Sequence, residues 1–293
     1  MGWLLLVGEN LPHAVVLALI LMTIVGCGQP LATPEPVYLR TAGSMVMGPL
    51  VEGLVAGFRE QNPSVSIQVS GLEPNGGLGS RYGLDALRNG ETDLALASWL
   101  PPVESGSDHP LGPPLGPDWR ATAIARDGIA IIVHPDNPLE GLGLLQLRDL
   151  FSGRSDDWRV LSGGTAHSLV LPVSREAGSG TRAAFETLVM EGLSVTPRAL
   201  VAPAGKAVVG YVAENSQAIG YVSMSEVTPG VKVLKVEGER ATPEAVEQGI
   251  YALTRELWLV TAAPPSGPLQ DFVDHVLSPA GQQIVEGYAG RIR

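Results

Sequence analysis

The decapeptide Val173-Ser174-Arg175-Glu176-Ala177-Gly178-Ser179-Gly180-Thr181-Arg182 constrains this chain more than any other stretch. Apolar residues lead into it (Leu169, Val170, Leu171, Val173), as in a buried strand, and Phe185, Leu188 and Val189 follow at helical spacing. The junction between strand and helix is Gly-Ser-Gly-Thr. Two glycines permit a tight bend and a close approach of backbone to a ligand. Ser179 and Thr181 both suit an N-cap. No acid follows in the first turn to compete for the free N–H groups. Arg182 stands there instead, at the positive end of the helix dipole, where an anion would neutralise it. Free amides, two hydroxyls, the dipole and Arg175 together make an oxyanion cradle. The plainer reading of the same residues is a glycine turn that caps a helix.

With 293 residues, 45% of them hydrophobic, the chain is long enough for a large core or two lobes. Its net charge is −11; without the first 26 residues it loses one acid, Glu9, and stands at −10. Such a balance argues against nucleic acid or an anionic membrane surface as partner. An anion would have to be held by local hydrogen bonds and dipoles against the general field.

The N-terminus reads as a targeting segment. Val15 to Val25 is mostly apolar, too short for a membrane span, and ends in Ile24-Val25-Gly26-Cys27. That ending resembles the lipobox of bacterial lipoproteins, in which the cysteine is lipidated. Cys27 is the only cysteine, so no internal disulfide can form. The segment before the apolar run has no Lys or Arg and carries Glu9, a departure from the usual basic start. Residues 1–26 are thus read as a lipoprotein signal peptide and 27–36 as a stiff tether.

The rest alternates strands and helices. Val37 to Arg40 is a strand, followed by Thr41-Ala42-Gly43-Ser44 and a helix with Leu50, Leu54 and Phe58 on one face, Pro49 in its first turn and Asn62-Pro63 at its end. Val65, Ile67 and Val69 alternate as a strand, and residues 71–77 form a glycine-rich loop. A short helix (Leu84, Leu87) and a strand from Asp93 to Ala97, ending at Ser98-Trp99, complete a parallel α/β unit. Ligands bind at the carboxyl ends of such strands, where Ser44, the 71–77 loop and Ser98 fall. Residues 100–118 are a surface excursion. Gly128 to Val133 is a continuous apolar run suited to a central strand. Leu144 to Phe151 is a helix closed by Ser152-Gly153, Ile219 to Val222 a strand, Tyr251 to Thr261 a late strand, and Leu269 to Tyr288 a helix broken at Ser278-Pro279.

Six stretches in order resemble the phosphate-binding proteins of bacterial ABC uptake systems: Ala42-Gly43-Ser44, Asn89-Gly90-Glu91-Thr92-Asp93, Leu150-Phe151-Ser152-Gly153 with Trp158, Arg175 through Arg182, Ala218-Ile219-Gly220-Tyr221-Val222, and Phe272 through Gly281. The resemblance spans roughly residues 37–293 and implies an α/β, two-lobe type II periplasmic-binding-protein fold. Each lobe would be a mostly parallel sheet flanked by helices, joined by two crossing segments near 123–128 and 222–226. Lobe 1 would comprise 37–125 and 223–293, and lobe 2 residues 126–222. The implied ligand is inorganic phosphate or a similar tetrahedral oxyanion, held by Gly43, Ser44, Ser98, Arg175, Ser179, Gly180 and Thr181. Ser44 would give a hydroxyl and an N–H, Arg175 charge-assisted bonds, and Ser179 to Thr181 an amide nest. The implied partner is an ABC permease, and the protein would be a monomer without cofactor, outside the cytoplasm, held to the membrane through Cys27.

Three positions depart from the pattern. Pro74 stands where a ligand serine is usual, Trp99 replaces an acid found in some members, and Ala177 replaces the acid before the Gly-Ser-Gly-Thr run. Hydrogenphosphate carries a proton that needs an acceptor, and a carboxylate that accepts it also repels sulfate. The departures therefore predict weakened or altered anion specificity unless Glu73 or Glu176 substitutes.

Other chemistries find little support. The five histidines (His13, His109, His134, His167, His275) lack metal-ligand spacing. Ser179 lacks the glycine two positions upstream that a nucleophile elbow needs. Gly205-Lys206 lacks the rest of a P-loop, and Asp156-Asp157 reads as a solvated pair. Beside the receptor reading stand two others: a degenerate member of the fold acting as sensor or adhesion component, and an extracellular phosphate-ester hydrolase.

Overall fold

The computed structural model describes residues 36–69, 79–104, 106–164 and 169–292. The apolar leader, Cys27, Glu73 and Pro74 lie outside the described residues. Pro36–Arg293 forms one compact unit. Among the described residues no helix is long and apolar enough to cross a membrane.

The strands are β1 (Val37–Gly43), β2 (Val65–Val69), β3 (Leu94–Ala97), β4 (Arg120–Val133), β5 (Gly141–Leu142), β6 (Leu171–Arg175), β7 (Leu200–Ala202), β8 (Ala218–Ser223), β9 (Lys232–Val236) and β10 (Thr254–Thr261). The helices are α1 (Gly48–Gln61), α2 (Ser80–Arg88), α3 (Leu144–Ser152), α4 (Trp158–Ser162), α5 (Gly180–Phe185), α6 (Gly205–Glu214), α7 (Pro243–Glu247), α8 (Pro268–Leu277) and α9 (Pro279–Glu286). Along the sheet the order is β2-β1-β3-β10-β4-β8-β6-β7, with β9 beside β4 and β5. β1 runs parallel to β2 and β3, and β6 parallel to β7 and β8. Antiparallel β10 and β4 join these two parallel groups.

β4 divides the molecule. Its residues 120–128 pair with β10 and its residues 129–133 with β8. The sequence predicts a strand over 128–133 after a crossing at 123–128. The strand in fact starts at Arg120, and the crossing happens inside it. Two lobes follow. One buries Leu54, Phe58, Ile124, Leu257 and Phe272 together. The other buries Ile129, Phe151, Trp158, Phe185 and Tyr221.

The return to the first lobe does not occur at 222–226. β9 pairs with Ile131–Val133 of β4, and Leu234, Val236, Val246, Tyr251 and Leu253 bury in the second lobe's cluster. Residues 223–253 therefore belong with the second lobe, and the chain crosses back where β10 begins beside Gly128.

Local signals account for the elements that hold the lobes. α1 buries Leu50, Val51, Leu54, Val55 and Phe58, a stripe at helical spacing. Asn62 closes it by donating Nδ2–H to the Phe58 carbonyl at 3.2 Å. Ser278 ends α8 and caps α9, its Oγ accepting the Gly281 N–H at 3.2 Å, which is the break predicted at Ser278-Pro279.

In the second lobe Phe185 stacks on Tyr221 at 4.0 Å and meets Phe151 edge-on at 4.7 Å. Phe185 is fully buried at the end of α5. Phe185→Ala should lower unfolding stability by about 3–5 kcal/mol, read as a fall in the urea midpoint at unchanged slope.

Candidate anion-binding site

Each lobe brings polar groups to the carboxyl ends of its parallel strands. β1 ends at Gly43, with φ at 136° and no room for a side chain: a Cβ would stand 2.2 Å from the Leu96 carbonyl oxygen. Gly43 thus lets β1 and β3 converge and delivers Ser44. The Ser44 N–H is committed to the Leu96 carbonyl at 2.8 Å, so of the two groups expected from Ser44 the hydroxyl remains. That hydroxyl donates to Ser98 Oγ at 2.9 Å. Ser80, at the start of α2, completes the cluster. Its Oγ accepts the Ser98 N–H at 2.9 Å and lies 3.3 Å from Ser98 Oγ. Ser44, Ser80 and Ser98 are all buried. Ser80 is not marked in the sequence, since a serine opening a helix reads as an ordinary start signal.

The second lobe contributes cationic and amide donors. Arg175 ends β6 with its side chain 5% exposed. Nε and Nη2 each donate to the Glu176 carboxylate at 2.9 Å, while Nη1 is buried without a partner among the described residues. The Arg175 N–H donates to the Tyr221 hydroxyl at 3.3 Å, and that hydroxyl pairs with Ser174 Oγ at 2.7 Å. Burial pushes the Tyr221 pKa up to about 12, so the phenol keeps its proton at neutral pH. The Gly220-Tyr221 pair now has a physical reason. A Cβ on Gly220 would meet Val208 Cγ1 at 2.5 Å, so glycine lets α6 lie on β8, while Tyr221 fixes the end of β6.

Ser179 caps α5, its Oγ accepting the Arg182 N–H at 3.3 Å and its own N–H donating to the Glu176 carbonyl at 3.3 Å. The N–H groups of Gly180 and Thr181 have no acceptor among the described residues. Arg182 is not left for an anion: Nε donates to Glu186 at 2.8 Å and Nη1 to the Arg175 carbonyl at 3.0 Å.

The two lobes touch here. The Arg81 N–H donates to the Gly178 carbonyl at 3.2 Å. A Cβ on Gly180 would stand 2.2 Å from Ser80 Oγ and 2.5 Å from Ser98 Oγ. The start of α5 therefore faces the serine cluster directly, and Arg175 lies on the strand that leads into α5. A buried, unpartnered guanidinium nitrogen costs free energy unless something accepts from it. Two open amides at a helix N-terminus favour negative charge. The arrangement is rich in donors and suits a small anion with several oxygens.

The positions that depart from the sequence pattern resolve differently. Trp99 packs its partly buried indole against the second lobe's apolar cluster, and it also borders a cavity of about 560 Å³ with Leu100, Pro102 and Trp258. It is an apolar contact between lobes and not a stand-in for an acid. Glu176 does not serve as a free acceptor either, because Arg175 engages both its oxygens.

The sequence matches the PBP superfamily domain over residues 31–280. The chain belongs to that superfamily. A phosphate-type ABC transporter substrate-binding protein from Clostridium perfringens, solved with bound phosphate, is 30% identical. That likeness covers 87% of this chain and 100% of the other, at a TM-score of 0.75. An ABC-type phosphate transport receptor from Vibrio cholerae is 25% identical, with a TM-score of 0.69 and coverage of 87% and 99%. The phosphate-binding protein PstS of Pseudomonas aeruginosa is 29% identical over 274 residues, 85% of this chain and 82% of the relative. The fold is thus the two-lobe type II PBP fold.

In this PBP the clearance at Gly180 sets how close the lobes come. Gly180→Ala should hold them apart, enlarging the radius of gyration in small-angle scattering and weakening anion binding about 100-fold, since near-contact geometry gates every bond from α5.

Proposed function

We propose that this chain is an extracytoplasmic receptor that binds phosphate, or a closely similar tetrahedral oxyanion, in the cleft between its lobes and hands it to an ABC permease. The observation that carries the reading is Nη1 of Arg175, buried without a partner among the described residues, on the strand leading to the open amides of Gly180 and Thr181. The hydroxyls of Ser98, Ser179 and Thr181 supply further donors, with Ser44 donating to Ser98 behind them. Relatives named for phosphate binding and transport, similar across most of both chains, support it. The lobes would close on the anion by hinge motion, and the closed form would be what the permease reads. The protein would act as a monomer, anchored through lipid on Cys27.

The reading is of a binding protein and not an enzyme, in line with relatives named for binding and transport. Ser179 Oγ accepts a helix N–H, and no described histidine bonds to it. His109 Nδ1 and His134 Nδ1 each accept a nearby backbone N–H, while His275 lies against Phe58.

Calorimetric titration of the protein, stripped of bound anion by partial unfolding, tests the assignment. Phosphate should bind tightly. Arg175→Met should weaken it about 10- to 100-fold, the worth of a charge-assisted hydrogen bond. A chromogenic phosphate ester should not turn over. Turnover that disappears in Ser179→Ala would establish the hydrolase instead, and no binding of any oxyanion would point to the sensor.

A further inference from the structure

An anion that carries a proton needs an acceptor in its site, and the same acceptor repels one that carries none. Neither Trp99 nor Ala177 supplies it. Among the described residues Glu176 pairs with Arg175 and Glu186 with Arg182, while Asp127 and Glu226 lie at the junction of the lobes; three of these four acids are engaged. Glu176 is held by Arg175 through both oxygens, and Glu186 takes the Arg182 Nε–H. Asp127 accepts from the Ser223 hydroxyl with one oxygen and from Arg255 with the other.

Glu226 is different. It stands in the single turn Met224–Glu226 that follows β8. β8 lies parallel to β6, so the turn leaves the sheet at the same end as Arg175. One oxygen, Oε2, accepts the Ser223 N–H at 3.3 Å. Oε1 has no hydrogen-bond donor among the described residues. Arg175 and Arg255 attract the carboxylate and Asp127 repels it. The group borders a cavity of about 470 Å³ between Met45, Val46 and Pro49 of the first lobe and Ala204 and Lys206 of the second, and Met45 is the residue next to Ser44. The carboxylate packs directly on Gly205, where a Cβ would lie 2.2 Å from either Glu226 oxygen.

We infer that Glu226 is the carboxylate that accepts the ligand's proton, so that the cleft selects a protonated tetrahedral oxyanion such as hydrogenphosphate over sulfate. The assignment rests on the oxyanion-receptor reading above. It gives the acceptor to the turn after β8 and not to the ends of β3 or β6.

Burial raises the Glu226 pKa above the usual carboxylate value. A raised value in the folded state means that ionisation disfavours folding. The penalty is absent below the unfolded pKa and complete above the folded one. The groups facing this carboxyl are Arg175, Arg255 and Asp127, with Lys206 and Glu52 on the same cavity. Acidification that protonates Glu226 turns it into a donor and admits sulfate.

The test is calorimetry on the full chain and on Glu226→Gln, each with phosphate and with sulfate, from mildly acid to alkaline pH. In the wild-type protein sulfate should bind at least about 100-fold more weakly than phosphate at neutral pH and gain affinity on acidification. In Glu226→Gln phosphate should weaken about tenfold, sulfate should strengthen, and sulfate affinity should lose its pH dependence. Urea unfolding without ligand checks the fold: the glutamine protein should be at least as stable as wild type at neutral pH. Unchanged anion preference in Glu226→Gln would overturn the assignment while leaving the receptor reading in place. Failure of wild type to bind either anion would overturn both.

Discussion

Asp127 and Arg255 face each other across β4 and β10 at the junction of the lobes, with side chains 2% and 0% exposed. Two charges so far from water cost a great deal unless they meet in good geometry. Arg255 offers Nε and Nη2 to one carboxylate oxygen at 3.0 and 2.6 Å, and the other oxygen takes the Ser223 hydroxyl at 2.8 Å. The register of β10 on β4 is thereby fixed, because a slip of one residue would strand both charges and turn every side chain to the opposite face. Ser223 ends β8, so the same carboxylate ties down the second lobe at the point where β4 changes partner. The cleft inherits its shape from this crossing.

Outward from that pair, each candidate donor is placed by a group outside the donor cluster. Tyr221 holds the backbone of Arg175, and its ring anchors α5 through Phe185. Glu176 keeps the Arg175 fork in one orientation and leaves Nη1 uncommitted. Glu186 draws Arg182 away from the start of α5, so the open amides there are not crowded by a cation. Gly43, Gly180, Gly205 and Gly220 mark the places where backbone, hydroxyl or carboxylate comes too close for any side chain. The donors of the site are preorganised, which is what makes them effective toward charge in a buried setting.

Much of this was legible in the residue order because the relevant signals are local. The junction at Val173 to Arg182 shows its strand, its glycines and its helix in ten consecutive letters. The apolar run Gly128 to Val133 reads as a central strand since both faces are buried. The misplaced return to the first lobe has a different origin. Lys232-Val233-Leu234-Lys235-Val236 carries no motif, and only pairing with Ile131–Val133 shows it as part of the second lobe's sheet. Ser80 and Glu226 carry no motif at all. One is an ordinary helix opener, the other an ordinary acid in a turn, and tertiary approach alone sets the first against Ser98 and the second against Gly205. The family pattern puts an acid at position 177, where this chain has Ala177, and Glu176 meets the guanidinium from the neighbouring place.

β4 runs unbroken from Arg120 to Val133 through both lobes. A joint made of strand behaves as a torsion spring. Were the lobes to part, the ladder would twist along its length while its hydrogen bonds stayed made, so the angular travel would be small and the restoring force would act toward one rest position. A loop hinge would let the lobes wander among many orientations, each wasting encounters with the anion. On the receptor reading, open and closed forms would differ along essentially one coordinate, and a partner that recognises one rigid face could distinguish them by that angle alone.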